Sequence, residues 1–256
     1  MAETPLVAGR VGIIHVHSDY SHDGRDSLEK VSEFARERAI AFVGLTDHAE
    51  DMTPDVYREY KARCAALSDD SVALIPGLEY RFPGYPGLHL LALGLDRMIE
   101  PGTPEEFCSQ ASGLARFTIA AHPVLPQYQI PLSVGNSIDA IEVWNAAYNT
   151  RFLPDPRAIR LYHDLREHRP ALVATTGLDQ HDCRNDRETR VILDDPRATD
   201  PLAELKAGRF INRGRTMQFD SRASFSGAGL AALSTARWSL DLVNVMHERV
   251  MRARSR

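Results

Sequence analysis

Short apolar runs alternate with amphipathic stretches along this 256-residue chain, and that alternation constrains its fold more than any other feature. Val11–Val16 predicts a first strand, and residues 26–39 a helix whose Leu28, Val31, Phe34 and Ala35 share a face. Asp26 and Glu29 resemble a capping box for that helix. Residues 40–45 predict a second buried strand, and 55–67 a second helix through Val56, Tyr60, Cys64 and Leu67. Further strands are expected at 72–75, 88–95, 117–121, 138–144 and 171–175, with a late one within 209–219. Helices are expected from Thr103-Pro104, over Pro156–His168, and as a long C-terminal segment over 228–256. Near-continuous apolar strands separated by helices imply a parallel sheet covered on both faces. Seven or so such units predict an α/β barrel, closed or nearly closed. Residues 1–256 read as one domain, with a core at 11–220 that carries the motifs, and no repeat or linker divides them.

Composition narrows the function classes. A chain that is 43% hydrophobic and 25% charged buries an ordinary core, and a net charge of -5 offers no footprint for nucleic acid. The one basic cluster, Arg249, Arg252, Arg254 and Arg256, reads as a solvated helix end. Cys64, Cys108 and Cys183 are odd in number and far apart, so neither a disulfide framework nor a thiolate zinc site is expected. The N-terminus lacks the basic-then-apolar pattern of a secretory signal, and no apolar stretch is long enough for a membrane span. A reducing cytoplasm is the expected setting.

Chemistry enters at the ends of the apolar runs. His15 and His17 end the first, Asp47 and His48 the second, and Glu79 the third. His89 opens the next run, His122 ends the one after, Glu142 lies within 138–144, and Asp179 and His181 follow the last. Singly, each has an ordinary explanation: a helix cap, a turn, or a satisfied histidine such as His163, His168 and His247. Jointly, charged residues beside so many apolar runs are costly to bury unless paired or bound to metal. In a parallel barrel these ends converge on one face. His-x-His adds to this, because alternate residues of a strand point the same way. Imidazole and carboxylate without thiolate suit zinc, manganese or iron(II), and so many ligands exceed what one ion takes. Two or three divalent cations together acidify a water and clamp attacking and leaving oxygens, which is hydrolytic chemistry. No glycine-rich nucleotide loop or serine elbow competes with it.

The set His15-x-His17-Ser18-x-x-Ser21-x-Asp23-Gly24, Thr46-Asp47-His48, Pro76-Gly77-x-Glu79, His122-Pro123 and Gly177-x-Asp179-x-His181 resembles the PHP family (polymerase and histidinol phosphatase). The motifs occur in the family's order over residues 11–182 and look more like its stand-alone phosphoesterases than its polymerase domains. The resemblance implies a distorted (β/α)7, TIM-like barrel, here with an extra C-terminal helix, and a two- or three-metal site. It implies a first site of His15, His17, Glu79 and Asp179. A second would share Glu79 and add His122, with His89 as the further histidine, and a third would take Asp23, His48 and His181. Members use Asp or His as the third ligand of the opening motif. Spacing from Ser21 favours Asp23 over the adjacent His22.

The expected activity is hydrolysis of a small phosphomonoester by a metal-bound hydroxide. Arg184 and Arg187 are candidates to receive the phosphate, and His181 or His22 to protonate the leaving oxygen. A carbamate, carboxylic ester or amide hydrolase on the same metals is the alternative, and a non-catalytic metal-binding module the second alternative. The expected partner is a small molecule, with neither nucleic acid nor membrane.

Overall fold

The computed structural model describes residues 10–149 and 152–254, with side chains described as far as residue 240. The tail arginines and His247 therefore lie outside the described side chains. Among the described residues the strands are β1 (Val11–Val16), β2 (Phe42–Leu45), β3 (Asp47–His48), β4 (Ala73–Ile75), β5 (Gly77–Arg81), β6 (His89–Leu93), β7 (Phe117–Ala120), β8 (Ala140–Asn145), β9 (Val173–Gly177), β10 (Arg190–Leu193), β11 (Phe210–Arg213) and β12 (Gln218–Asp220). The helices are α1 (Leu28–Glu37), α2 (Pro54–Leu67), α3 (Pro104–Ala111), α4 (Leu132–Gly135), α5 (Pro156–His168), α6 (Pro201–Ala207) and α7 (Gly227–Arg254). None of the described helices is long and apolar enough to cross a membrane.

Four helices begin the same way. Thr53, Thr103, Asp155 and Asp200 each cap a free backbone N–H, and a proline follows at once where no N–H is needed. In α1 the cap is Ser27, one residue beyond the expected Asp26. The Asp26 carboxylate instead accepts from the Cys183 N–H at 2.6 Å, joining the start of α1 to the segment after β9.

The strands form two six-stranded sheets, β12-β11-β10-β1-β2-β4 and β3-β5-β6-β7-β8-β9, and no closed barrel is found. Nor are the strands all parallel: β1 pairs antiparallel with β10, and β6 antiparallel with both β5 and β7. The sequence explains the reversal at β5–β6. Only residues 82–88 join them, with Gly84 and Gly87 both at positive φ, and a parallel crossover needs a dozen residues or more. The late strand predicted within 209–219 is the hairpin β11–β12, and the short β10 went unforeseen.

Ile14, Phe42, Val191, Leu193 and Phe210 of the first sheet pack against Leu91, Leu93, Phe117 and Ile119 of the second in one buried cluster. A second cluster lies under the helices, through Val31, Phe34, Tyr57, Tyr60, Phe107, Ile159 and Tyr162. Both faces of each strand are thus covered, which is why the runs read as continuously apolar. The chain passes from sheet to sheet at β2–β3, β3–β4, β4–β5 and β9–β10. A further seam joins the end of β9 to β1: Leu178 N–H donates to the Ile14 carbonyl at 2.8 Å and His17 N–H to the Gln180 carbonyl at 2.8 Å. The ends of β1, β3 and β9 and the middle of β5 therefore meet.

Candidate metal centre

Backbone irregularities aim the side chains. The partner of β1 on β2 jumps from Ile14–Gly44 to Val16–Leu45, leaving His15 in a bulge at φ 68°. His122 and Asp179 also take positive φ, 24° and 50°. Each non-glycine residue in that region costs of order 1–3 kcal/mol, and such strain collects at functional sites. His15 and His17 thus converge through a bulge followed by a turn, and not by the simple strand alternation expected.

His15 and His17 Nε2 lie 3.6 and 3.5 Å from Glu79 Oε2, and each lies 3.6 Å from Asp179 Oδ1. All four side chains are buried, and the two ring nitrogens have no hydrogen-bond partner. Four donors held tetrahedrally at 2.0–2.2 Å from an ion are separated by roughly 3.3–3.6 Å. The donor set, the spacing and the orphaned nitrogens all fit a divalent cation.

Glu79 joins this group to its neighbours. Its Oε2 also lies 3.2 Å from His48 Nδ1, while Oε1 faces the other way, 3.1 Å from His122 Nε2 and 2.7 Å from His89 Nδ1. His15, Glu79 and His122 form a second cation-sized group, with His89 beside it on Glu79. A third comprises His17, Asp23, His48 and His181, where Asp23 Oδ2 is 3.2 Å from His48 Nε2 and 3.3 Å from His181 Nε2. All nine sequence-predicted ligands are therefore gathered around one carboxylate. His22 stands at the edge of the third group, with its Nδ1 on Asp51 Oδ2 at 2.7 Å, its Nε2 4.0 Å from Asp23 Oδ2 and its side chain 57% exposed.

A second layer of polar groups fixes the rings. Fully buried Glu142 accepts from His15 Nδ1 at 2.8 Å through Oε1, and from the His122 N–H and Asn145 Nδ2 at 2.8 and 2.9 Å through Oε2. A carboxylate only accepts, so Nδ1 of His15 carries a proton and Nε2 is the nitrogen turned towards Glu79 and Asp179, the one whose lone pair an ion would take. Gly177 permits this placement, because a Cβ there would lie 1.9 Å from Glu142 Oε1. Asp47 accepts from Ser18 N–H, Ser18 Oγ and Ser21 Oγ at 2.7–2.9 Å, and Ser21 Oγ accepts from His48 N–H at 2.9 Å. The serines of the opening motif and Asp47 thus brace the loop from His17 to Asp23.

Electrostatics accords with mutual support. Burial disfavours ionised Glu79, but the charge of His15 and the His122 and His48 imidazoles beside it outweigh burial and hold its carboxyl well below the usual range. Burial likewise opposes Asp23, which His48 and His181 hold low. For His15, burial is overcome by Asp179, Glu142 and Glu79, and its pKa is raised well above the ordinary imidazole value. His181 is lowered, first by burial and then by His17.

The expected phosphate-binding arginines are engaged elsewhere. Arg184 is clamped on its neighbour Asp182, with Nη2 to Oδ2 at 2.6 Å, and Arg187 Nη1 donates to the Ala146 carbonyl at 2.6 Å. These bonds use Nε and Nη2 of Arg184, whose side chain is 79% exposed, and Nη1 of Arg187, so each guanidinium keeps N–H groups with which to meet an anion. Sequence reasoning missed Arg81, whose Nη2 lies 3.0 Å from His48 Nε2 and whose Nη1 lies 3.1 Å from Glu50 Oε1. It also missed Tyr148, 45% exposed, with its ring 4.9 Å from that of His122. Arg81 lies two residues after Glu79, the signal that could have marked it; Tyr148 lies in a turn and leaves none.

Comparison with known proteins agrees with this arrangement. Residues 14–119 match the PHP domain. The PHP match takes in the motifs around His15, His17, His48 and Glu79, whereas His122, Asp179 and His181 lie beyond it. No curated protein sequence matches the chain. Among solved structures, the fold resembles a two-domain protein from Bacteroides vulgatus containing a predicted PHP-like metal-dependent phosphoesterase, with a TM-score of 0.57 and 18% identity over 84% of this chain and 68% of that one. It also resembles an amidohydrolase from Chromobacterium violaceum with bound sulfate and no metal, with a TM-score of 0.50 and 17% identity over 77% and 96%.

Proposed function

We propose that this protein is a metal-dependent hydrolase, a phosphoesterase acting on a small phosphomonoester. The observation that carries the reading is that His15 Nε2 and His17 Nε2 each lie 3.5–3.6 Å from both Glu79 Oε2 and Asp179 Oδ1, with His15, His17 and Asp179 forming a cation-sized group that His15 and His17 join to two further ones. His15, His17, Glu79 and Asp179 would hold one ion, Glu79, His122 and His89 a second, and Asp23, His48 and His181 a third. Zinc, manganese and iron(II) suit these donors. When bound, such ions supply Lewis acidity and an acidified water.

The chain's own residues do the rest. Glu142 keeps the His15 lone pair directed inward, and Asp47 with Ser21 sets the position of His48. His181, 32% exposed, is the proposed proton donor to a leaving oxygen when it does not hold the third ion, a role that works against burial, which shifts its imidazole towards the neutral form. Tyr148 offers an aromatic wall to a bound molecule beside His122. A substrate bearing a compact dianion suits a cluster of cations better than one bearing a neutral carbonyl. Its description as a PHP-like phosphoesterase supports this through the B. vulgatus neighbour, and the tetrahedral sulfate recorded with the C. violaceum neighbour is consistent with it.

The C. violaceum description as an amidohydrolase favours a second reading, carbamate or carboxylic ester and amide hydrolysis on the same site. Turnover of phosphomonoesters, phosphodiesters and carbamate esters by protein reconstituted with each metal separates them. Phosphomonoesters are expected to be fastest, with inorganic phosphate a competitive inhibitor. Faster turnover of carbamates than of every phosphoester overturns the phosphoesterase reading.

A further inference from the structure

Arg81 occupies an unusual position for a cation. It ends β5 opposite His89 of β6, and its guanidinium spans Glu50 Oε1 at 3.1 Å and His48 Nε2 at 3.0 Å. Arginine has no acceptor and keeps its charge, so it can bond His48 Nε2 only through the lone pair of that nitrogen. The His48 proton then belongs on Nδ1, 3.2 Å from Glu79 Oε2. Yet His48 Nε2 also lies 3.2 Å from Asp23 Oδ2. A lone pair and a carboxylate oxygen repel at that separation unless a positive charge stands beside them. Arg81 supplies that charge, and it does so on the same lone pair that a metal ion between Asp23, His48 and His181 requires.

We infer that Arg81 is a resident cation that competes with a metal ion for the Asp23–His48–His181 subsite, so that this subsite fills last and most weakly. The inference rests on the metal-centre reading above. Glu50, in the turn directly after His48, holds the guanidinium in place, and the 40% exposure of Arg81 gives it room to swing outward when an ion takes His48 Nε2. The first group contains neither His48 Nε2 nor a contact to Arg81 among the described residues, and the second meets Arg81 only through its cross-strand neighbour His89, so their affinities should depend on it far less.

The test is titration of the chelator-stripped full chain with Mn2+, following free ion by electron paramagnetic resonance and bound ion by elemental analysis. In Arg81→Leu the last ion should bind on the order of tenfold to a hundredfold more tightly than in the unaltered protein, the range set by loss of one charge-assisted hydrogen bond. Glu50→Gln, which loosens the anchor, should shift it in the same direction by less, and the tighter sites should move less than about twofold in both. Unchanged or weaker binding of the last ion in Arg81→Leu overturns the inference while leaving the cluster intact. Uptake of one ion or fewer by the unaltered protein overturns the inference and the metal-cluster reading together. A second measurement needs no metal: imidazole 15N spectra of the stripped protein should show His48 with a protonated Nδ1 and a bare Nε2. A protonated Nε2 excludes donation from Arg81 and overturns the inference as well.

Discussion

Glu142→Gln changes one oxygen for one NH2 group and almost no volume, yet it should disable a ligand it never replaces. Glu142 Oε2 receives two donors, the His122 N–H and Asn145 Nδ2, whereas Oε1 receives one, His15 Nδ1. A glutamine keeps both Oε2 bonds only by placing its carbonyl there, which points its NH2 group at His15 Nδ1. Two donors cannot face each other, so His15 must move its proton to Nε2. That nitrogen then carries a hydrogen where a lone pair is needed for a metal ion, between Glu79 and Asp179. Loss of a carboxylate behind a ligating histidine costs roughly 10–100-fold in metal affinity, about 1.4–2.8 kcal/mol. The assay is competition for Zn2+ against a chromophoric chelator, with circular dichroism to verify that the metal-free variant is folded. An affinity within about twofold of the unaltered protein refutes the assigned tautomer and the role of Glu142.

Gly177→Ala should reproduce the loss without touching the carboxylate chemically, because the new Cβ would lie 1.9 Å from Glu142 Oε1 and must displace it. Overpacking of this kind costs roughly 1–3 kcal/mol of stability, readable as a lower Tm, and metal affinity should fall with it. Glu79→Gln should empty the two groups that share this carboxylate and abolish turnover; full metal content with near-normal turnover would show that Glu79 does not bridge. The same variant tests pH dependence. The Glu79 pKa is depressed in the folded metal-free protein, so its stabilising effect is complete above the unfolded value of about 4.3 and is lost as pH falls towards the folded one. Tm of the metal-free protein should therefore decline less steeply below about pH 5 in Glu79→Gln. Burial pushes the Cys108 thiol up to about 11 and the Cys183 thiol up to about 12, so iodoacetamide at pH 8 should label the folded chain far more slowly than the unfolded one.

The polar ends of the apolar runs were legible because cost compels them: buried His15, His17, His48, Glu79 and His122 need partners, and strand ends in a layered α/β fold come together. Helix starts were legible at Thr103-Pro104 and at Pro156, whereas α6, which opens on the same signal at Asp200-Pro201, went unread. The sheet connectivity was not legible. The direction of β10 depends on packing across the molecule, the reversal at β6 is marked only by the short 82–88 link, and the apolar pattern is the same for parallel and antiparallel strands that are buried on both faces. Nor were the bulge at His15 and the positive φ of His122 and Asp179, since neither glycine nor asparagine marks those positions. Glu142 was visible as a charge within an apolar run, but its task depends on a contact with His15 across 127 positions. The engagement of Arg187 with the Ala146 and Ala147 carbonyls is likewise tertiary, whereas Arg184 pairs locally with Asp182.

The central claim is that one carboxylate, Glu79, organises a cluster of cations. Metal content decides it most directly: protein purified without chelator and reconstituted separately with zinc, manganese and iron(II) is analysed for ions per chain. More than one tightly held ion per chain, falling with Glu79→Gln by more than a single ligand's share, is the predicted result. One ion or fewer after every reconstitution would contradict the account.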